Sequence, residues 1–376
     1  MEAARSHLAS QGIGTPDAGD KALVHAAAAR SILQAMAAAK RQITGLRLAE
    51  LAELLESRSR ALAALRWLWQ SRPAPMLLPE RIPGVSAKHW ARVLETCALD
   101  LPRTAARQSS ADGTVKHAFE ARGSRFESVL IPAKDRSTLC VSSQAGCSRR
   151  CEFCATARLG LARNLEAAEI VEQVLLARDD TPASAPLRNV VFMGMGEPMD
   201  NLDHVLRAIE VLTQAPAPQL GAGHITVSTS GILPGMQRFL RESEAHLALS
   251  LNATTDAQRA RLMPQTKQWP IGELLKVLRQ ASEDSERMFF VEYVLLDGFN
   301  DSDEDARRLV RLLTGVRARV NLIPHNAFLG CEWRPSPPER ILAFQKIVND
   351  ARIRCLLRTS RGEEIDAACG QLALKV

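Results

Sequence analysis

Apolar and polar positions follow two different patterns along this chain. Over residues 22–42, 46–70 and 86–99 the apolar side chains recur at helical spacing. Beyond residue 137, short apolar runs alternate with amphipathic stretches, a pattern that is typical of parallel βα units. The sequence therefore predicts a small helical domain followed by an α/β domain.

The apolar runs of the second half predict the strands of one sheet. Six strands are expected at residues 138–143, 189–195, 224–230, 246–253, 288–296 and 320–326, with a seventh run trailing at 354–360. Six βα units are too few for a closed eightfold barrel, so we expect a partial, open (β/α)6 barrel. In such a fold the functional side chains lie at the C-terminal ends of the strands.

The length of 376 residues suits one barrel-sized domain with a smaller one attached. A β-hairpin is predicted around Arg122–Gly123, where two alternating runs meet. The expected organisation is a disordered segment at 1–20, a helical accessory domain at 21–106, a β-hairpin linker at 107–136 and the barrel with a catalytic C-terminal segment at 137–376.

Composition narrows the class of protein. The net charge of +6 permits binding to a polyanion, whereas one tyrosine and few other aromatic residues argue against a base-stacking platform. No stretch approaches the roughly 18 apolar residues of a membrane span, and no secretory signal is recognised. Because the eight cysteines also fit a reducing compartment, we expect a cytoplasmic protein without a membrane partner.

Three cysteines are clustered in the run CSRRCEFC, at Cys147, Cys151 and Cys154. Three thiolates can hold a 4Fe–4S cluster that leaves one iron free to bind a small molecule. The alternative is a zinc site that borrows a distant cysteine or histidine. The loop follows the first predicted barrel strand, where a catalytic cofactor belongs, and this position favours the iron–sulfur cluster.

Other polar motifs fall at the ends of the following strands and would share the rim with these cysteines. An open iron beside such groups suits S-adenosylmethionine, whose amine and carboxylate can chelate it, with Glu197 accepting from the ammonium group. Each polar residue taken alone can equally cap a strand end. The residues expected to bind this cofactor are Gly196, Glu197, Ser228, Ser250, Leu251, Asn252 and Asn326.

Two further thiols are notable. Cys140 lies on the first predicted strand, where a buried apolar role is usual, while Cys369 lies in the polar stretch RGEEIDAACGQL. Two thiols that meet near a cofactor can form and break a disulfide bond. We interpret Cys97, Cys331 and Cys355 as core or incidental residues.

Several runs over residues 113 to 374 together resemble a known family. They are TLCVSSQAGCSRRCEFCATA, RNLEAAEIVEQV, VVFMGMGEPMDNL, ITVSTSG, LALSLNA, VEYVLLDGFND, VNLIPHN and RGEEIDAACGQL. In this order they resemble the radical SAM adenine methyltransferases of the RlmN/Cfr family. The N-terminal helices resemble the accessory domain of that family in position and character only.

The resemblance implies a radical mechanism, because an adenine ring carbon is not a nucleophile. One S-adenosylmethionine methylates Cys369, and a second yields a 5′-deoxyadenosyl radical that abstracts hydrogen from this methyl group. The carbon radical then adds to the adenine ring, giving a covalent protein–RNA adduct. By motif position Glu127 is the base that removes the ring proton, and Cys140 is the thiol that releases the product through a transient disulfide bond with Cys369.

The resemblance also implies the partners. They are an adenosine of 23S rRNA, an adenosine beside the anticodon of some tRNAs, or both, and an electron donor such as flavodoxin or ferredoxin. A monomer suffices, and the arginines of the helical domain are expected to contact RNA. Glu197–Pro198 resembles the carbon-2 branch of the family, whereas Asn252 departs from the histidine usual at its position.

Two enzyme classes and one binding class remain open from the sequence. Within the family, methylation at carbon 8 of adenosine is the alternative to carbon 2. A radical SAM enzyme with a substrate other than RNA would need the cluster but not Glu127, Cys140 and Cys369 together. A non-catalytic RNA-binding module with structural zinc is the third alternative.

Overall fold

The computed structural model describes residues 40–216 and 220–374. The segment 1–20 that was predicted to be disordered, and nearly all of the first predicted helix, lie outside these residues. The N-terminal domain contains strand β1 (Arg41–Gln42), helices α1 (Leu48–Leu54), α2 (Arg58–Gln70) and α3 (Ala87–Thr96), and strand β2 (Cys97–Ala98). The helical character of this domain matches the prediction.

Two details of this domain differ from the prediction. The run 46–70 is interrupted after Leu54, and Ser57 Oγ accepts a hydrogen bond from Arg60 N (3.5 Å) as the N-cap of α2. Residues 41–42, predicted to be helical, pair in parallel with β2. The domain packs on the barrel through Arg178, which donates to Leu68 O (3.2 Å) and Ser71 O (2.8 Å) at the end of α2.

An antiparallel segment of three strands follows: β3 (Arg103–Ser109), β4 (Val115–Ala121) and β5 (Ser124–Pro132). The predicted hairpin is present, and Arg122 and Gly123 at its turn both have positive φ values. The segment is nevertheless part of the main sheet instead of a linker, because β5 pairs with the first barrel strand. The boundary predicted after residue 106 falls within β3.

The barrel begins with β6 (Ser137–Cys140) and a short antiparallel pair, β7 (Gln144–Gly146) and β8 (Leu161–Asn164). Its further strands are β9 (Leu187–Phe192), β10 (Ile225–Thr229), β11 (His246–Ser250), β12 (Phe289–Leu295), β13 (Ala318–Pro324) and β14 (Cys355–Leu357). The connecting helices are α4 (Ala167–Ala177), α5 (Leu202–Gln214), α6 (Leu233–Glu242), α7 (Asp256–Leu262), α8 (Ile271–Asp284), α9 (Asp303–Leu312) and α10 (Pro338–Asp350).

These strands form one open sheet in the order β14-β13-β12-β11-β10-β9-β6-β5-β4-β3. Neighbours from β14 to β6 are parallel, which confirms the predicted partial barrel of six strands with a seventh at its edge. Several strands end earlier than predicted, because the polar residues that follow them turn over the rim. None of the helices in the described ranges has the length and apolar character needed to cross a bilayer.

Candidate active site

A cavity of about 560 Å³ opens at the C-terminal ends of the parallel strands, and part of the C-terminal segment 367–372 lines it. This is the position expected from the fold. Eleven of the predicted site residues line it together: Cys140, Cys147, Cys151, Cys154, Gly196, Glu197, Ser228, Ser250, Asn252, Asn326 and Cys369. The remaining two, Leu251 and Glu127, do not line it.

The three clustered cysteines lie on the loop between β7 and β8. The loop is fixed by backbone hydrogen bonds from Cys147 N to Gly160 O (2.8 Å) and from Glu152 N to Leu262 O (3.0 Å). Burial raises the pKa of all three thiols, that of Cys147 to about 12, and for Cys151 the negative charges of Cys154 and Cys147 add to the effect. Bare thiolates are therefore disfavoured here unless a cationic group binds them.

The arrangement of these thiols fits an iron–sulfur cluster. In the described part of the chain, no set of three or more histidine, cysteine or acidic side chains is positioned to hold a single metal ion. The three thiols nevertheless line one cavity and interact electrostatically, and four irons with their sulfides extend over a wider space than one zinc ion. Phe153, between the last two thiols, also lines the cavity and packs against the buried cluster of Leu262, Met263 and Leu296.

Glu197 is almost fully buried and holds the loop that follows β9. Its Oε2 accepts from Ser230 N (2.8 Å) and Ser230 Oγ (2.7 Å), and its Oε1 accepts from Met199 N (3.0 Å). Burial raises the pKa of Glu197 although these hydrogen bonds oppose the rise. The preceding Gly196 has φ +101°, and a Cβ there would lie 2.6 Å from Gln144 Cβ, so only glycine fits.

Ser228 and Ser250 end two neighbouring strands, and their hydroxyl oxygens lie 3.3 Å apart. Both line the cavity, and their role in binding the cofactor stays a prediction. Leu251, which was predicted to bind the cofactor, has its side chain buried in the main core. Its backbone N–H donates to Glu292 O (3.0 Å), so neither its side chain nor its donor is directed to a ligand.

The two asparagines have mainly structural partners. Asn252 has φ +59°, a conformation that asparagine adopts more readily than most residues, and its Oδ1 accepts from Val294 N (2.9 Å). Asn326 donates from Nδ2 to Cys369 O (3.0 Å) and accepts from Ser360 Oγ (2.6 Å). Both polar atoms of Asn326 are thus occupied by protein groups, and the residue holds the Cys369 segment where a cofactor contact was predicted.

Cys140 and Cys369 are brought to the same cavity from opposite ends of the barrel sequence. Both are free thiols; Cys140 is buried, while the Cys369 side chain is exposed. Burial raises the pKa of Cys140, and the charge of Cys369 raises it further, so the two sulfurs lie close enough to interact. Although Cys369 is exposed to solvent within the cavity, the protein groups around it still raise its pKa through partial desolvation, with the nearby Glu292 as the next cause.

Glu127 lies on β5 and is fully buried. Its Oε2 accepts from Leu374 N (3.2 Å), and its Oε1 lies 3.7 Å from Lys116 Nζ. Burial raises the pKa of Glu127, although Lys116 opposes the rise. Val129, two residues further along β5, lines the cavity, so Glu127 lies next to the site with its Oε2 hydrogen-bonded to the C-terminal backbone.

Two features of the cavity were missed in the sequence. Glu292 lies on β12, where burial raises its pKa and Asn321 Nδ2 donates to it (2.7 Å). A charged residue in the apolar run MFFVEYVLL was a usable signal for it. Arg149 in the cysteine loop forms two hydrogen bonds to Asp200, one of them from Nε (2.6 Å), and no sequence pattern indicated this pairing.

Comparisons with known proteins define the class. A family model described as the Radical SAM superfamily matches residues 141–310. The crystal structure of a radical SAM methyltransferase from Sphaerobacter thermophilus is similar over 88% of this chain and 98% of that chain, with a TM-score of 0.81 and 38% sequence identity. The chain is therefore a radical SAM enzyme, and its cofactors are a 4Fe–4S cluster and S-adenosylmethionine.

Curated relatives define the family more narrowly. The dual-specificity RNA methyltransferase RlmN of Geobacter sulfurreducens is 42% identical over 89% of this chain and 92% of its own length. The protein of that name from Cereibacter sphaeroides (strain ATCC 17025 / ATH 2.4.3) is 47% identical over 78% of each chain. This chain belongs to the RlmN family of methyltransferases, which confirms the predicted family.

Proposed function

We propose that this enzyme methylates carbon 2 of an adenosine in RNA. The relatives named as RNA methyltransferases support the substrate class. The observation that carries the proposal is the meeting of Cys140 and Cys369 in the cavity that also contains the three clustered cysteines. A radical SAM enzyme that does not transfer a methyl group through a cysteine has no need of this arrangement.

Cys147, Cys151 and Cys154 would hold the cluster, and Glu197, Ser228 and Ser250 would bind S-adenosylmethionine. When bound, the two cofactors supply methyl groups and a 5′-deoxyadenosyl radical. Cys369 is the residue that carries the methyl group. Asn326 fixes the backbone of Cys369 by donating a hydrogen bond to its carbonyl oxygen. The exposed thiol is thereby presented to both the cofactor and an incoming base.

The carbon radical on Cys369 would add to the adenine ring and form a bond between protein and RNA. The adduct radical must then lose one electron, for which the oxidised cluster would be the acceptor. Glu127 then takes the ring proton, and the raised pKa of this carboxyl suits a base that acts near neutral pH. Because Leu374 N now occupies Glu127 Oε2, the C-terminal backbone must move aside when RNA binds. The Cys140 thiolate attacks the Cys369 sulfur, and the carbon–sulfur bond breaks with its electron pair left on the methylene carbon, which takes up a proton to become the methyl group. A disulfide bond remains and is reduced by an external thiol.

Other features of the proposal concern partners. The substrate is a base of 23S rRNA, of tRNA or of both, extruded from its stack to reach the cavity. Arginines of the helical domain contact the RNA backbone, and a flavodoxin or ferredoxin supplies the electron. We propose a cytoplasmic monomer. Carbon 8 is the alternative position, and Glu197–Pro198 favours carbon 2.

The test is methylation of purified 23S rRNA and tRNA under anaerobic conditions, with reductant and S-adenosylmethionine, followed by nucleoside mass spectrometry against 2-methyl- and 8-methyladenosine standards. We expect 2-methyladenosine with wild-type protein and none with Cys369→Ala. Formation of 8-methyladenosine would refute the proposal that carbon 2 is the methylated position. Cleavage of S-adenosylmethionine without any methylated RNA would refute the proposal that 23S rRNA or tRNA is the substrate.

A further inference from the structure

Arg259 is a fully buried cation that the proposed chemistry does not use. It lies on α7, and its guanidinium donates only to neutral acceptors. Its Nε donates to Leu251 O (3.0 Å), and its Nη2 donates to Ser230 O (2.6 Å) and Ser250 O (3.1 Å). Its Nη1 donates to Thr266 Oγ1 (2.9 Å).

No carboxylate pairs with this guanidinium among residues 40–216 and 220–374. Burial lowers the pKa of Arg259 to about 10, which leaves it charged at neutral pH. A buried charge without a counter-charge is unfavourable, because burial removes the water that would otherwise stabilise it. The groups hydrogen-bonded to Arg259 are all neutral, so the negative charge that compensates its guanidinium must come from elsewhere.

The surroundings indicate where that negative charge lies. The negative groups that act on Arg259 are Cys151 first, then Asp256 and Glu197. Asp256 is exposed and screened by solvent. The helix that carries Arg259 is also bonded to the cysteine loop, since Leu262 O at its end accepts from Glu152 N (3.0 Å). Arg259 is thus attached to both the cofactor rim and the cluster loop.

We propose that Arg259 is a positioning residue whose buried charge compensates the iron–sulfur cluster and raises its reduction potential. The proposal rests on the assignment of Cys147, Cys151 and Cys154 as cluster ligands. Three thiolates give such a cluster a net negative charge, which grows when the cluster is reduced. A fixed cation nearby stabilises the reduced state more than the oxidised state, because it is attracted more strongly to the larger negative charge.

Arg259 also connects the cluster loop to the proposed ammonium site. Its Nη2 holds the carbonyl of Ser230, while the N–H and hydroxyl of the same serine donate to Glu197. A purely structural role would consist of these hydrogen bonds alone, which a neutral donor can partly replace. A measurement of the cluster's reduction potential distinguishes the structural role from the electrostatic role, because the potential depends on the charge of Arg259.

The experiment compares Arg259→Gln with Arg259→Lys in the reconstituted protein without RNA, using potentiometric titration monitored by electron paramagnetic resonance. At the wild-type midpoint potential, we expect the reduced-to-oxidised ratio of Arg259→Gln to fall at least tenfold, a shift of 59 mV for a one-electron couple. Arg259→Lys keeps the charge and should stay within threefold. Equal potentials for wild type and Arg259→Gln, or equal shifts in both variants, would overturn the proposal.

A second pair of variants leaves Arg259 in place, in case Arg259→Gln does not retain iron and sulfide. Thr266→Asp puts a carboxylate beside Nη1, and Thr266→Asn is its neutral match of similar size. We expect a tenfold fall of the ratio for Thr266→Asp only, and equal potentials for both would overturn the proposal. Because no RNA is present, failure of the RNA methylation assay would leave this result unaffected.

Discussion

Replacement of Glu197 by glutamine tests how the cavity binds the amino-acid part of S-adenosylmethionine. The carboxylate accepts from Ser230 with one oxygen and from Met199 N with the other, and each donor lies within 3.0 Å. An amide has one acceptor oxygen, so Glu197→Gln leaves one buried backbone N–H without a partner, at a cost of about 1–3 kcal/mol in stability. It also removes the charge proposed to face the ammonium group of the cofactor.

A hydrogen bond to a charged group contributes about 1.5–3 kcal/mol, and each 1.4 kcal/mol changes affinity tenfold. We therefore expect Glu197→Gln to raise the Kd for S-adenosylmethionine between about tenfold and a hundredfold. The assay is isothermal titration calorimetry with reconstituted protein in the absence of RNA. Burial raises the pKa of Glu197, so wild-type affinity should also weaken as the pH falls through that raised value.

The matched control is 5′-methylthioadenosine, which has the nucleoside of the cofactor but no amino-acid group. Its Kd should be the same for wild type and Glu197→Gln. Unchanged affinity for S-adenosylmethionine would show that Glu197 does not bind the ammonium group. Equal weakening of both ligands would show that the substitution disturbs the loop as a whole.

Three further predictions follow from the other buried groups. Cys140→Ala should leave the thioether between protein and RNA intact, so a covalent adduct should accumulate on denaturing gels; its absence would exclude Cys140 as the resolving thiol. Glu127→Gln should stop the reaction one step earlier, at an adduct that retains the ring proton. Because the base must be ionised, the wild-type rate of product release should decrease as the pH is lowered through the raised pKa of Glu127. Burial raises the pKa of Glu172 to about 8, so its carboxyl destabilises the fold increasingly as the pH rises from 4.5 to 8. Glu172→Gln keeps the acceptor for Thr44 Oγ1 and should raise the free energy of unfolding by a few kcal/mol at pH 8 but not at pH 4.5, as measured by urea denaturation; an equal effect at both values would contradict the assignment.

The barrel was predictable because each strand has its own apolar run and parallel strands place their C-terminal ends on one rim. This rule alone brings Cys147, Glu197, Ser228 and Ser250 together, and the structure places all four around one cavity. The edge strand β3 was missed, because Arg103–Ser109 is polar, lies at the outer edge of the sheet with no buried residue, and lacks an apolar run.

The contacts between distant segments were not predictable from local patterns. Asn326 lies at a strand end and was assigned to the cofactor, yet its partners are Cys369 O and Ser360 Oγ from the C-terminal segment. Glu127 became a site residue only through the family resemblance, and its burial beneath Leu374 depends on the fold of the last residues. A single sequence contains no signal for either pairing.

The central claim is that the transferred carbon passes through Cys369, and methyl-deuterated S-adenosylmethionine tests it most directly. The measurement is mass spectrometry of the methylated adenosine and of the released 5′-deoxyadenosine after anaerobic reaction with RNA. The account predicts that two of the three deuterium atoms remain in the product methyl group and that 5′-deoxyadenosine gains one. Retention of all three deuterium atoms in the methyladenosine would mean direct transfer and would contradict the account.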